Sequence, residues 1–212
     1  TARAEGSLVA TARLLLAGGP VSELVRSVGL LSGQQLILVL IGAARVKLIA
    51  TLLGPAGTGL LAQTVVLQDV LRQTSLLGAG NGYLKLVAEA VGRDDRETMA
   101  RLITTSFALF GGLALLLATA SLLCAPRLAR LVFHDETLAP LVVIAAVGLV
   151  FAVPAVLFQR TLSGALQFRA YVQLSIADSL TGLAATAALV WLLGLTGAVS
   201  ALAIAEAATV VL

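Results

Sequence analysis

The chain has 212 residues, of which 59% are hydrophobic and only 12% charged, with a mean hydropathy of +1.03. Soluble domains carry about a quarter of their residues as charges, so half that share excludes an ordinary water-soluble globule. The formal charge of +3 and pI near 9.6 do not argue for nucleic acid here, because cations of membrane proteins collect in loops facing the cytoplasm.

Residues 1–26, "TARAEGSLVATARLLLAGGPVSELVR", mix apolar and charged positions, and the patch 8–17 is interrupted by Arg13. Signal peptides keep their apolar centre unbroken, so an amino-terminal arm, disordered or lying at an interface, is expected instead. Six apolar spans follow, at about 28–53, 60–77, 102–124, 138–159, 174–193 and 198–212. A helix crossing a hydrocarbon core of ~30 Å needs roughly 20 such residues, and 102–124 and 138–159 contain no Asp, Glu, Lys or Arg inside their apolar runs. The fold class predicted is all-α and integral to a membrane. The alternation of a membrane β-barrel is absent.

Gly54, Pro55, Gly57 and Gly59 predict a tight turn at 54–59 between the first two spans. After the second span, "GAGNG" at 78–82 resembles part of a phosphate-binding glycine loop. It follows a membrane helix rather than a strand, so a hinge or a close helix approach is expected. An amphipathic stretch leads to the third span, with Asp94 and Glu97 as a helix-start signal. Gly29 and Gly33 make a small-xxx-small packing pattern, and Pro154 predicts a kink. A single Cys124 and a single His134 supply neither a disulfide nor a metal cluster, so no metal and no cofactor are expected. The chain ends within an apolar segment and its one methionine is Met99, which reads as a piece of a longer protein.

Orientation follows from counting cations. Arg3, Arg13, Arg26, Lys85, Arg93, Arg96, Arg101, Arg160 and Arg169 fall on one side, against Arg127 and Arg130 on the other. The positive-inside rule then puts the amino terminus in the cytoplasm.

Charges within spans are the functional candidates. Each costs about 2.5–3.5 kcal/mol at mid-membrane, so each is expected to face a bundle interior or a wet cavity. Arg45 lies roughly 12 Å from the end of the first span. Lys47 is nearer the interface, and two residues away it points almost oppositely. Asp69 and Arg72 share one face of the second span beside Gln68, either as a self-neutralising pair or as the wall of a polar passage. Asp178, near one end of the fifth span, and Glu206, deeper in the sixth, are candidates for proton or cation coupling; an interfacial or capping role for Asp178, or a paired Glu206, are the alternatives. No nucleophile with a partner base is evident, and the short outward loops argue against an enzyme.

"KLIATLLGPAGTGLLAQ" (47–63), "LGAGNGYLKLVAEAVGRDDRE" (77–97) and "GALQFRAY" (164–171) resemble the amino-terminal half of Wzx-type O-antigen and polysaccharide flippases of the MATE-like exporter superfamily. The resemblance implies one six-helix lobe of a two-lobed transporter in a bacterial inner membrane. It further implies alternating access that moves an undecaprenyl-diphosphate-linked oligosaccharide between leaflets, in possible association with polysaccharide polymerase machinery. Arg45, Lys47 and Arg72, with Gln68 and Asp69, would then contact the anionic substrate. A cation-coupled drug exporter of the same superfamily, or a membrane enzyme acting on polyprenyl-linked sugars, are the competing expectations.

Overall fold

The computed structural model describes residues 20–211, which form helices joined by short turns, with no strand among the described residues. Among the described residues six α-helices occur: α1 Pro20–Ser75, α2 Gly80–Gly92, α3 Arg96–Leu123, α4 Ala125–Phe133, α5 Ala139–Gly164 and α6 Phe168–Val211, with a 3₁₀ turn Glu136–Leu138 before α5. Four stretches are long and apolar enough to cross a membrane: Ser32–Ser75, Arg96–Leu123, Glu136–Gly164 and Phe168–Val210. Residues 1–19 of the expected amino-terminal arm lie outside the described residues; α1 takes up the sequence from Pro20.

Two of the four stretches are twice too long for one crossing. At 1.5 Å per residue the 44 residues of Ser32–Ser75 would reach roughly 66 Å. Each is broken once by a glycine in the left-handed region, Gly54 (φ 67°, ψ −175°) in α1 and Gly194 (φ 60°, ψ −130°) in α6. These breaks sit between the first and second and between the fifth and sixth expected spans. The first is narrower than expected, because Pro55, with φ fixed and no N–H to donate, opens the next helical segment immediately; after Gly194 the helix resumes at once as well.

Other boundaries also move outward. α3 starts at Arg96 rather than near 102, and its N-cap is Asp95, not Asp94: the Asp95 carboxylate accepts from Thr98 N at 2.9 Å. Asp94 instead takes a left-handed turn conformation (φ 51°). The Thr98 hydroxyl and amide hold Asp95 below the usual carboxylate range. Its capping contribution is therefore present above the ordinary Asp value near pH 4 and fades as pH falls through the lowered value. The stretch 125–137, between the third and fourth expected spans, folds as α4 and the 3₁₀ turn. α4 buries Ala125, Ala129 and Phe133 and ends on His134 in the left-handed conformation. α5 runs through Pro154 to Gly164, and no neighbour lies within 4 Å of a Cβ built at Gly29 or Gly33.

α5 is the central helix. It packs against every other α-helix, and 56% of its most apolar stretch is buried, against 6% for α1. Its first half joins one core with Ile49, Leu61, Phe133, Val190 and Val199. Its second half joins another with Leu76, Tyr83, Val87, Phe110 and Ala114. Residues from both sides of each glycine break enter the first core, so burial and break hold one another in place.

Gly54→Ala must place a Cβ at positive φ, a cost of roughly 1–2 kcal/mol, whereas at Gly59 the surroundings are open within 4 Å. Thermal unfolding in detergent is expected to show Gly54→Ala destabilised and Gly59→Ala neutral or slightly stabilised. Equal midpoints for the two would show that the break does not depend on the left-handed glycine.

Candidate functional site

Three charged or amide side chains lie close together in the second half of α1. Gln68 is 6% exposed, and Asp69 accepts a hydrogen bond from Arg72 Nη2 at 2.5 Å. The i,i+3 spacing brings that pair together, as the sequence implies. Gln68 looks the other way, across to α6, and its Nε2 donates to Glu206 Oε2 at 2.9 Å. One turn further along α6, Thr209 Oγ1 donates to Asp178 Oδ1 at 2.6 Å, tying the two halves of α6 to each other.

Arg45 enters this seam from the first half of α1. Its Nη1 lies 3.4 Å from where a Cβ of Gly182 would stand, and its charge faces that of Asp178. Asp178 and Gly182 are four apart on α6 and share a face, so the glycine provides the space that the guanidinium occupies on the side of α6 that carries the carboxylate. Gly148 on α5 does the same for Gln68: a Cβ there would come within 3.0 Å of Gln68 Nε2 and 3.3 Å of the Ala203 Cβ. Glu206 in turn feels the charges of Arg72, Asp178 and Asp69.

The structure thus gathers Arg45, Gln68, Asp69, Arg72, Asp178 and Glu206 into one polar seam between α1 and α6. Asp178 is deeper than the sequence suggests, because α6 begins at Phe168 and places it nearly three turns in. Lys47 is not gathered. It is exposed and has no ion-pair partner among the described residues, which fits its pointing away from Arg45. Thr209, Gly148 and Gly182 were not singled out by the sequence. Their signal was present as spacing, since Thr209 follows Glu206 by three and Gly182 follows Asp178 by four.

The seam holds three carboxylates against two guanidiniums. Taken alone it is not the cationic wall expected for an anionic substrate; with all groups ionised it would carry a surplus negative charge. Each buried polar side-chain atom among the described residues has a partner, and no group of three or more potential metal ligands occurs among them.

Beside the seam, toward the ends of α1 and α5, lies a cleft of about 550 Å³ into which Arg72 also projects. Next to it Tyr83 Oη and Thr161 Oγ1 are 2.7 Å apart. Burial pushes the Tyr83 phenol up, with the Thr161 contact opposing, so it stays protonated at physiological pH.

The multi-pass helical bundle and its interior charges agree with what the sequence matches. The family described as "Polysaccharide biosynthesis protein" covers residues 24–212. The chain belongs to that family. No curated protein and no solved structure matches it. As a family member it is a membrane protein of polysaccharide biosynthesis, and the family match extends across the whole polar seam, from Arg45 to Glu206 and Thr209.

Removing one partner of a buried polar pair leaves the other unsatisfied, at about 1–3 kcal/mol. Gln68→Leu and Thr209→Val are each expected to lower the detergent unfolding midpoint, and Gly148→Ala to do so by crowding the Gln68 amide. An unchanged midpoint in all three would show that the Gln68–Glu206 and Thr209–Asp178 bonds do not contribute to stability.

Proposed function

We propose that the protein is a flippase that carries a polyprenyl-diphosphate-linked oligosaccharide, of the O-antigen repeat-unit kind, across the bacterial inner membrane. In this reading α1 and α6 each cross the membrane twice by reversing at Gly54 and Gly194, so the chain makes six crossings with its amino terminus in the cytoplasm. It forms one lobe of a two-lobed transporter that works by alternating access, and polysaccharide polymerase machinery takes up its product. The observation that carries the proposal is the polar seam. An apolar bundle of a polysaccharide biosynthesis family retains Arg45, Arg72, Asp69, Asp178 and Glu206 in its spans, where charge is costly to insert.

Within the seam the roles divide. Arg45 and Arg72 supply positive charge toward the diphosphate and sugar, with Gln68 and Asp69 as hydrogen-bonding neighbours. Asp178 and Glu206 neutralise the arginines and are the groups that a proton or cation would bind during turnover. Lys47, on the outer face of α1, anchors at the interface or meets the substrate only where another part of the transporter closes over it. The surplus of carboxylates supports a second reading, a cation-coupled exporter of small molecules; such a protein would not alter surface polysaccharide when disabled.

Arg45→Ala and Arg72→Ala in the full-length protein are expected to reduce surface polysaccharide severely, with membrane insertion unchanged by immunoblot of the membrane fraction. Normal polysaccharide in both would refute the proposal. The Arg45→Ala/Asp178→Ala double variant separates two roles. Recovery of export would assign Arg45 to neutralising Asp178, and continued loss would assign it to the substrate.

A further inference from the structure

The cleft where α1, α2, α5 and α6 converge is chemically unlike the seam beside it. Arg72, Arg160, Asn81, Gln159, Ser163 and Tyr171 line it together with Gln73 and a few apolar and glycine positions, and none of its lining residues is Asp or Glu. Arg160 counts in the sequence only as one more cation at the cytoplasmic end of a span. In the structure its Nη1 donates to Asn81 Oδ1 at 2.8 Å. Its guanidinium lies so close over Gly80 that a Cβ there would stand 3.1 Å from Arg160 Cζ. The close approach expected of "GAGNG" is therefore an approach of Arg160 to the glycine.

We infer that this cleft is a phosphate-recognition site, with Arg160 as its main ligand and Arg72 as its second, taking a phosphomonoester or diphosphate group. Three features of the cleft support this. Arg160 makes no ion pair among the described residues, whereas Arg72, Lys85, Arg101 and Arg130 each do, so its charge is uncancelled. A guanidinium has five donors, and one spent on an amide oxygen leaves the rest for an anion while fixing the plane of the fork. Planar, preoriented guanidinium is the group best matched to phosphate oxygens. The volume falls within the ordinary range for small-molecule sites, ~300–1,000 Å³, and the amide and hydroxyl groups of Gln159, Ser163 and Tyr171 can bond the remaining oxygens or a first sugar. Gly80 and Asn81, at the start of α2, which no side chain caps, stand in the same wall.

That the phosphate belongs to the transported lipid rests on the flippase reading; that the cleft binds phosphate does not. The test uses the full-length protein in nanodiscs of neutral lipid, titrated with inorganic pyrophosphate by calorimetry. Arg160→Gln is expected to weaken binding roughly tenfold or more, with Gly80→Ala weakening it by displacing the guanidinium. Arg127→Gln, on α4 and outside the cleft, should leave it unchanged. Gly80→Ala keeps every charge, so it serves if Arg160→Gln proves unfolded by size-exclusion chromatography. A second arm adds polyprenyl diphosphate to the discs. Competition with pyrophosphate identifies a lipid headgroup as the source; pyrophosphate binding without competition identifies a soluble phosphate compound, and either supports the site. Binding unaffected by Arg160→Gln and Gly80→Ala, an equal loss in Arg127→Gln, or no binding of either probe by the wild type would overturn it. Export that stays normal in Arg160→Gln while pyrophosphate binding is lost would separate the site from transport and leave the site standing.

Discussion

A guanidinium in hydrocarbon needs an opposite charge and hydrogen-bonding partners, and the arrangement of α1 against α6 follows from that requirement. Arg45 cannot stand over Gly182, on the face of α6 that carries Asp178, unless the first half of α1 lies directly on that face. Gln68 cannot reach Glu206 unless the second half of α1 lies on the other half of α6, across the small surface of Gly148. Together with Thr209 on Asp178, these contacts fix which faces touch and at what height. Apolar burial alone does not do so in a membrane, where lipid tails are as apolar as leucine.

The glycine breaks serve the same constraint. Arg45 and Gln68 belong to one helix by sequence, yet an uninterrupted α1 would hold them roughly 35 Å apart. Gly54 breaks the helix between them, and Gly194 does the same between Asp178 and Glu206. Because each break is a single left-handed residue followed by helix, the segments on either side pack closely, and Ile49 with Leu61 and Val190 with Ala198 enter one core. Small residues at the contact points, rather than long loops, give the bundle its shape.

Much of this was legible in the residues. The apolar runs give the helices, and the glycine–proline cluster gives the first break. The cost of charge in a membrane singles out Arg45, Asp69, Arg72, Asp178 and Glu206 before any partner is known. Two things were not legible, for physical reasons. Helix ends were misjudged because polar first turns, such as those from Arg96 and Phe168, resemble loops to a hydropathy reading, while capping by Asp95 and backbone hydrogen bonds extend the helix through them. Pairing was not legible either, since Gln68 and Glu206 are 138 residues apart and only the fold brings them within bonding distance. The importance of Arg160 was hidden for a related reason: its isolation from carboxylates is a property of the space around it.

The distribution of charge within the bundle is therefore more telling than its total. The net +3 of the chain says nothing of where an anion could rest. In the seam, two guanidiniums face three carboxylates, and an incoming phosphate would have to displace Asp69 from Arg72 and would meet the charges of Asp178 and Glu206 nearby. In the cleft, Arg160 is held by a neutral amide that orients it without neutralising it. Arg72 belongs to both places, paired with Asp69 on one side and open to the cleft on the other. An anion binding in the cleft would compete with Asp69 for Arg72, so cleft and seam share one guanidinium, and whatever occupies one alters the charge balance of the other.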